Sequence, residues 1–462
     1  MNPQNQKKTT IERIVKETTA GTKRSAKDAA EHATLMREIE AIALQAQQFT
    51  RNQGSYAPLV EQTRRDIGEL RAEVSFSKYY AVIDFDSFFA SVEERDNPRL
   101  IHIPMVVTDA TGKMIETSNY KAREWGIRAG MPVFVARALC NRGPEFGMPR
   151  VKLTTVDHHS EKYKQAAETS RSIFRIYDKD MIPKSIDEAF LDLTDYLAEN
   201  NMLSPDGAQA VTHEIRTRIL RETGLTTSAG IANNITLAKV CSSVKKPNGQ
   251  FCCAFTHQGL SDFLSTLEVK DVGGVGKKSS SKLAAIGVHT CGDVLARASV
   301  IKHAFEKHPA IVSILFRVSV GLCKATDSME RERKEQGKGS KEETFLYATN
   351  DEAEHIKVIE KLCTWLGDAH FSKGKGAKNV QLTLTFSNFQ PVNETLNLKT
   401  PLIYAKDMIR EATKMYKQAY RKGAAIRHMR VAITLAEREA GQLSIASFLQ
   451  MPSHQLKRKR GV

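Results

Sequence analysis

The sequence predicts an α+β multidomain protein, and three observations predict it. Helical periodicity fills residues 1 to about 75, where Ile11, Ile14 and Val15, then Met36, Ile39, Ile42, Ala43 and Leu44, recur among Glu, Lys, Arg and Gln. Short apolar runs of strand length end on acidic residues. A stretch at 327–341, almost entirely charged or Gly, separates a further αβ unit from what precedes it. The 462 residues leave room for about three domains.

The elements follow in order. Thr9 or Thr10 is a candidate cap for the first helix. Helices of this kind cannot form a domain alone and must pack on something. Tyr79-Tyr80-Ala81-Val82-Ile83 is a continuous apolar run that suits a strand buried on both faces, and it ends at Asp84. A helical stretch runs through Glu94, and Pro98, Pro104 and Gly112 punctuate a looser region. Ser185 to Leu193 alternates as a strand, and Thr227 to Ile231 is another. Val272-Gly273-Gly274-Val275-Gly276-Lys277-Lys278 reads as a tight turn between two short helices, the second ending at Ile286-Gly287-Val288. Beyond the charged stretch, Val380 to Phe386 and Met429 to Leu435 alternate as strands around a helix at Tyr404 to Tyr420.

Lys and Arg outnumber Asp and Glu by 68 to 53, giving a net charge of +15. Such an excess points to a polyanionic partner, most simply a phosphate backbone, or to a generically basic surface. The seven cysteines form no paired CxxC pattern with metal-ligand spacing, so a structural zinc site is not expected. Their odd, scattered placement suggests reduced thiols and an intracellular home. No apolar run reaches the ~18 residues of a membrane helix, and the first ten residues lack the apolar core of a secretory signal.

Two acidic clusters sit at the ends of apolar strands, Asp84 with Asp86 and Asp187 with Glu188. A carboxylate beside a buried strand is costly unless paired or bound to a cation, and hard oxygen ligands select Mg²⁺. Taken alone, each cluster reads more readily as ordinary surface carboxylates at strand ends than as a metal site. Neighbours such as Asp187 and Glu188 point to opposite faces of a regular strand, so both reach one site only if the strand ends or turns there.

Four segments occur in order: Asp84-Phe85-Asp86-Ser87-Phe88-Phe89-Ala90-Ser91-Val92-Glu93, Thr117-Ser118-Asn119-Tyr120-Lys121-Ala122-Arg123, Ser185-Ile186-Asp187-Glu188-Ala189 and Lys245-Lys246-Pro247-Asn248-Gly249. This series resembles the motif set of the Y-family DNA polymerases over roughly residues 77–437. The resemblance implies a right-hand polymerase architecture with palm (76–86 and 155–253), fingers (87–154), thumb (254–326), linker (327–341) and little finger (342–438). It also implies a helical N-clasp-like extension at 1–75, since Thr10 to Gly21 resembles that element of the family. Cysteine–histidine ubiquitin-binding fingers, found in some members, do not occur in this sequence.

Carried over residue by residue, Asp84, Asp187 and Glu188, with the Phe85 carbonyl, would bind two Mg²⁺ ions, Mn²⁺ being a possible substitute. Asp86 matches a position that is not a ligand. Phe88 and Phe89 fall at the sugar of the incoming nucleotide, with Phe89 as the steric gate; read without the motif, they are core residues. Tyr120, Arg123 and Lys246, assisted by Thr117, would hold the triphosphate, through charge-assisted hydrogen bonds from Arg and Lys. The Val272–Lys278 turn resembles a thumb helix-hairpin-helix whose backbone N–H groups meet DNA phosphates without reading sequence. Lys341, Lys373, Lys375 and Lys378 are candidates for the duplex backbone.

In the tail at 439–462, Gln442, Ile445, Phe448 and Leu449 fit Q-x-x-I-x-x-F-F with Leu in last place. This looks like a sliding-clamp-binding motif, one helical turn presenting apolar anchors to a groove. Lys457-Arg458-Lys459-Arg460 reads as a nuclear import signal or a non-specific DNA contact, while the basic, acid-poor start leaves a mitochondrial place open. The expectation is a monomeric, low-fidelity, translesion DNA polymerase acting on primer-template DNA and dNTPs without proofreading. A transferase restricted to one nucleotide, a non-catalytic replication-fork scaffold of the same fold, and a plain basic DNA-binding protein are the alternatives.

Overall fold

The computed structural model describes residues 3–20, 23–324, 338–371 and 375–437. Two compact units divide the chain, Met1–Met329 and Glu330–Val462.

The first unit opens with helices α1 (Pro3–Thr19), α2 (Lys23–Arg51) and α3 (Ala57–Ala72). The candidate caps Thr9 and Thr10 lie inside α1 instead, because the helix already runs from Pro3; Thr9 Oγ1 donates back to the Asn5 carbonyl at 2.9 Å. Strand β1 (Tyr80–Phe85) and helix α4 (Phe88–Asp96) follow, then strands β2 (Met105–Thr108) and β3 (Ile115–Ser118). Helices α5 (Tyr120–Arg123) and α6 (Val133–Asn141) and strand β4 (Thr154–Val156) complete a small sheet region in the order β3-β2-β4. Because β4 pairs in parallel with β2 through Val156, this region continues past residue 154.

Next come α7 (Ser160–Tyr177), β5 (Ile182–Pro183), β6 (Glu188–Asp192), α8 (Thr194–Glu199), α9 (Pro205–Thr223), β7 (Thr227–Ala232), α10 (Ile235–Cys241) and β8 (Gln250–Cys252). The central sheet has the order β5-β6-β1-β7-β8. Strand alternation assigns its two faces. Ala81, Ile83 and Phe85 share a core with Tyr163, Phe174, Ile215 and Ile219 of α7 and α9. Val82 and Phe190 turn the other way, into the core holding Leu237 and Ala238 of α10. A row of polar residues, Asp84, Glu188 and Ser228, continues that second face in register beyond Val82, Phe190 and Gly230.

Helices α11 (His257–Thr266), α12 (Lys277–Ala284), α13 (Cys291–Ala296), α14 (Ala298–Ala304) and α15 (Pro309–Ser319) close the first unit. The Gly-rich turn lies before α12, but only a short 3₁₀ turn, Val269–Asp271, precedes it. Val272 and Val275 are buried and anchor the turn. The N-terminal helices pack on both ends of this unit. Ile14 of α1 is fully buried with Ile127 and Leu139. Gly126, at φ +78, admits α1 closely: a Cβ there would fall 2.9 Å from Ile11 Cδ1. Ile42 and Ala46 of α2 join the core of α12–α15, flanked by ion pairs Lys282–Glu38 at 2.9 Å and Lys302–Asp66 at 2.5 Å.

The second unit is a four-stranded antiparallel sheet, β11-β10-β12-β9, built from β9 (Lys338–Thr349), β10 (Lys375–Phe386), β11 (Pro391–Leu402) and β12 (Ile426–Glu437). Helices α16 (Glu352–His370) and α17 (Ala405–Ala419) cover one face through Ile359, Leu362, Leu366, Met408 and Tyr416. Lys338 to Lys341, predicted as the end of a linker, are strand; Lys341 pairs with Val431. An edge strand gains its order from the ladder, so apolar periodicity need not reveal it. Residues 327–337 lie outside the described residues.

Candidate active site

β1 carries the apolar run Ala81-Val82-Ile83 between two partner strands, and that ladder places Asp84 opposite Glu188. Their side chains are only 13 and 14 % exposed. Asp187 is not part of the regular strand. β6 begins at Glu188, and Lys184 N and Ser185 N both donate to the Glu188 carbonyl, closing a hairpin with β5. The Asp187 carbonyl accepts from Phe85 N at 3.0 Å, and its carboxylate accepts from Ser185 Oγ at 2.5 Å. Asp84 and Glu188 are therefore brought together, while the Asp187 carboxylate is bonded to Ser185 at the same turn. The Asp187 charge still bears on Glu188.

Two lysines enter this pair. Lys239 Nζ lies 2.6 Å from Asp84 Oδ2 and 3.0 Å from Glu188 Oε2, and Lys246 Nζ bonds Asp84 Oδ1. Burial pushes the Glu188 carboxyl up, opposed by the Lys239 charge. Burial alone would lower the Lys239 ammonium, but the charges of Asp84 and Glu188 outweigh it and raise it. Glu188 Oε1 is buried without a hydrogen-bond partner. An orphaned carboxylate oxygen beside further hard oxygen donors fits a divalent cation such as Mg²⁺. Among the described residues, no cluster of three His, Cys, Asp or Glu side chains is already arranged as a metal cage.

Asp86 is 1 % exposed yet fully satisfied. It accepts from Thr226 Oγ1 at 2.9 Å, Ser228 Oγ at 2.7 Å and Asn248 N at 2.7 Å. It thus ties the start of β7 to the turn that carries Lys246, next to the cis Lys246–Pro247 peptide. These bonds give Asp86 a positioning role.

Asn119 does the same for the opposite wall. Its side chain is completely buried; Oδ1 accepts from Ala122 N and Met105 N, and Nδ2 donates to Glu94, Leu100 and Ile103 oxygens. This N-cap fixes the single turn α5, which bears both Tyr120 and Arg123. The Arg123 guanidinium lies 4.5 Å from the Tyr120 ring centroid. The Tyr120 hydroxyl is buried without a hydrogen-bond partner; burial raises its pKa and the Asp86 charge adds to this. Thr117, on β3, is half-buried.

Ser87, at φ 50, occupies the left-handed region and turns the chain sharply from β1 into α4. Phe88 beyond it is 2 % exposed and packs on Phe85, 4.6 Å between centroids, so its ring belongs to the core. Phe89 is half-buried; its ring stacks on Tyr163 at 4.3 Å and meets the His158 edge at 5.1 Å. Tyr163 is held by its hydroxyl, which donates to buried Glu93 at 2.9 Å. Sequence reasoning missed Lys239, Asn119 and this aromatic brace; the first two stand within or beside the motifs, but as isolated letters they carry no partner. Gln442, Ile445, Phe448 and Leu449, the Lys457–Arg460 cluster and Lys373 lie outside the described residues. Of the other lysines, Lys341 Nζ lies 4.7 Å from the Trp365 ring centroid and Lys378 is exposed.

Residues 83–243 match the impB/mucB/samB family, and residues 339–445 match its C-terminal domain. The chain is 32 % identical to DNA polymerase kappa of Arabidopsis thaliana over 409 residues, covering 88 % of this chain and 57 % of that one. DNA polymerase kappa of Caenorhabditis elegans is 31 % identical, with 71 and 61 % covered. The chain thus spans about three-fifths of the length of these curated relatives. DNA polymerase IV of Shigella dysenteriae serotype 1 is 34 % identical over 360 residues, covering 77 % of this chain and 95 % of that one. The fold is that of a Y-family DNA polymerase chimera of Dbh and Dpo4, with a TM-score of 0.60 at 21 % identity, covering 77 and 98 % of the two chains. With the paired carboxylates and the two matched domains together, the chain belongs to the impB/mucB/samB family, the Y-family DNA polymerases.

Proposed function

We propose that this protein is a template-directed, low-fidelity DNA polymerase that extends primers past damaged bases. The observation that carries this reading is the Asp84–Glu188 pair, directly opposed across β1 and β6 and contacted by Lys246. In the reaction, the primer 3′-hydroxyl would attack the α-phosphorus of a dNTP and pyrophosphate would leave. Two divalent cations, Mg²⁺ with Mn²⁺ as a substitute, would stabilise the attacking and leaving oxygens when bound to Asp84, Glu188, Asp187 and the Phe85 carbonyl. Arg123 and Lys246 would hold the triphosphate by charge-assisted hydrogen bonds, with Tyr120 and Thr117 beside them. Phe89 would sit under the sugar and exclude a ribose 2′-hydroxyl. No proofreading exonuclease is proposed, since no second acidic cluster in the sequence suggests one.

The partners would be primer-template DNA and dNTPs; the net charge of +15 supports the first. The tail motif Gln442, Ile445, Phe448 and Leu449 supports a sliding clamp as a further partner. The Lys457–Arg460 cluster supports a nuclear place, with the mitochondrion as the alternative. The test is primer extension by the full chain on undamaged and lesion-bearing templates, offering each dNTP in turn. Extension opposite all four bases and past a lesion supports the reading; DNA binding without any extension contradicts it and favours a scaffold.

A further inference from the structure

Lys239 belongs to none of the roles assigned so far, yet it is the residue that contacts both carboxylates of the central pair. Its place is set by the backbone. Gly230 on β7 lies on the face that α10 covers, in register with Val82. A Cβ at Gly230 would fall 2.1 Å from the Ala238 carbonyl oxygen and 2.1 Å from Ser242 N. Only glycine lets α10 come this close, and that approach lowers Lys239 onto the next polar row of the sheet, Asp84 and Glu188. Asn234 fixes the start of α10 by accepting from Leu237 N at 3.0 Å.

We propose that Lys239 is the resident counter-ion of the carboxylate pair: its ammonium holds Asp84 and Glu188 together until a divalent cation displaces it, and so sets how much metal the site needs. This rests on the reading of the pair as a metal centre. Two carboxylates this shielded repel each other strongly without a cation between them. Lys246 touches Asp84 alone, so it cannot bridge them. A divalent cation and an ammonium within a few ångströms repel, so metal entry and ammonium departure are linked. The Lys239 side chain is 42 % exposed, and its flexible stem can carry the charge out to water. The competing cation is thus part of the chain.

The test is Mn²⁺ binding to the full chain, without DNA or nucleotide, read by electron paramagnetic resonance for the natural chain, Lys239→Met, Lys239→Gln and Lys239→Arg. The neutral variants should bind Mn²⁺ about tenfold more tightly, and Lys239→Arg no more tightly than the natural chain. Without metal, Lys239→Met should melt below the natural chain, and Mn²⁺ should raise its Tm by the larger amount. Equal or weaker Mn²⁺ binding by both neutral variants overturns the proposal and leaves the metal-centre reading standing. If Asp84→Asn with Glu188→Gln binds Mn²⁺ as well as the natural chain does, the metal-centre reading itself falls, and the proposal with it.

Discussion

Asp84 and Glu188 are cross-strand neighbours on β1 and β6, and both of their carboxylates reach the Nζ of one lysine, Lys239. Like charges directly opposite one another destabilise a sheet. Folding therefore keeps this pair only with cations beside it, and residues around the site show how the rest of the chain is arranged to hold their partners in place.

Phe89 is held between Tyr163 and His158 rather than free to swing. On the proposed gate role, truncating it to Ala opens the floor under the sugar. Ribonucleotide insertion should rise by about ten- to a hundredfold relative to the natural chain, with dNTP insertion much less altered. The ratio of kcat/KM for matched rNTP and dNTP measures this. An unchanged ratio would remove Phe89 from the gate role.

Asn119→Ala removes the cap of α5 and leaves buried polar groups unpaired. A stability loss of about 2 kcal/mol is expected. Because Tyr120 and Arg123 stand on that turn, KM for dNTP should rise more than kcat falls. Steady-state kinetics with varied dNTP distinguishes the two.

Asp86→Ala strands the hydroxyls of Thr226 and Ser228 and the Asn248 amide. About 3 kcal/mol of stability in the first unit should be lost. Denaturant unfolding followed by tryptophan fluorescence from Trp125 reports on that unit, since the other tryptophan, Trp365, lies in the second and can be replaced by Phe.

In the second unit, His355 is completely buried, its Nδ1 accepting from the Tyr416 hydroxyl at 2.8 Å and its Nε2–H donating to the Thr349 carbonyl at 3.0 Å. Burial lowers its pKa below the usual histidine value. The folded state thus favours neutral His355, and the unfolded chain takes up a proton first as pH falls. This contribution is complete above about pH 6.5 and is lost as pH falls toward the folded pKa, at no more than about 1.4 kcal/mol per pH unit. His355→Gln should unfold with a flatter pH dependence between pH 7 and 5. An identical slope would mean that His355 is not the titrating group.

Much of this arrangement was legible in the sequence because its signals are local. The apolar run before Asp84, the candidate strand at Thr227 to Ile231 and the helix at Tyr404 to Tyr420 all reappear as elements within a residue or so. Strands β2 and β3 were not legible, since four residues are too few to show alternation and β2 is buried throughout. Ser185 to Asp187 read as strand because their polarity alternates, yet the hairpin with β5 takes them out of the ladder. At the site, the motifs mark Asp84, Glu188, Lys246, Tyr120 and Arg123, but not what holds them. Lys239 meets its partners only because Gly230 admits α10, and Asn119 meets Glu94 only across α4 and β3. Such contacts join residues far apart in the chain, and no single stretch of sequence displays them.

The most direct measurement is primer extension beside DNA binding for the full chain carrying Asp187→Ala and Glu188→Ala together. Loss of extension, by about a thousandfold or more, with DNA affinity kept within a few-fold of the natural chain, is the expected result. Extension at the natural rate by that variant would contradict the assignment of these carboxylates to the chemistry.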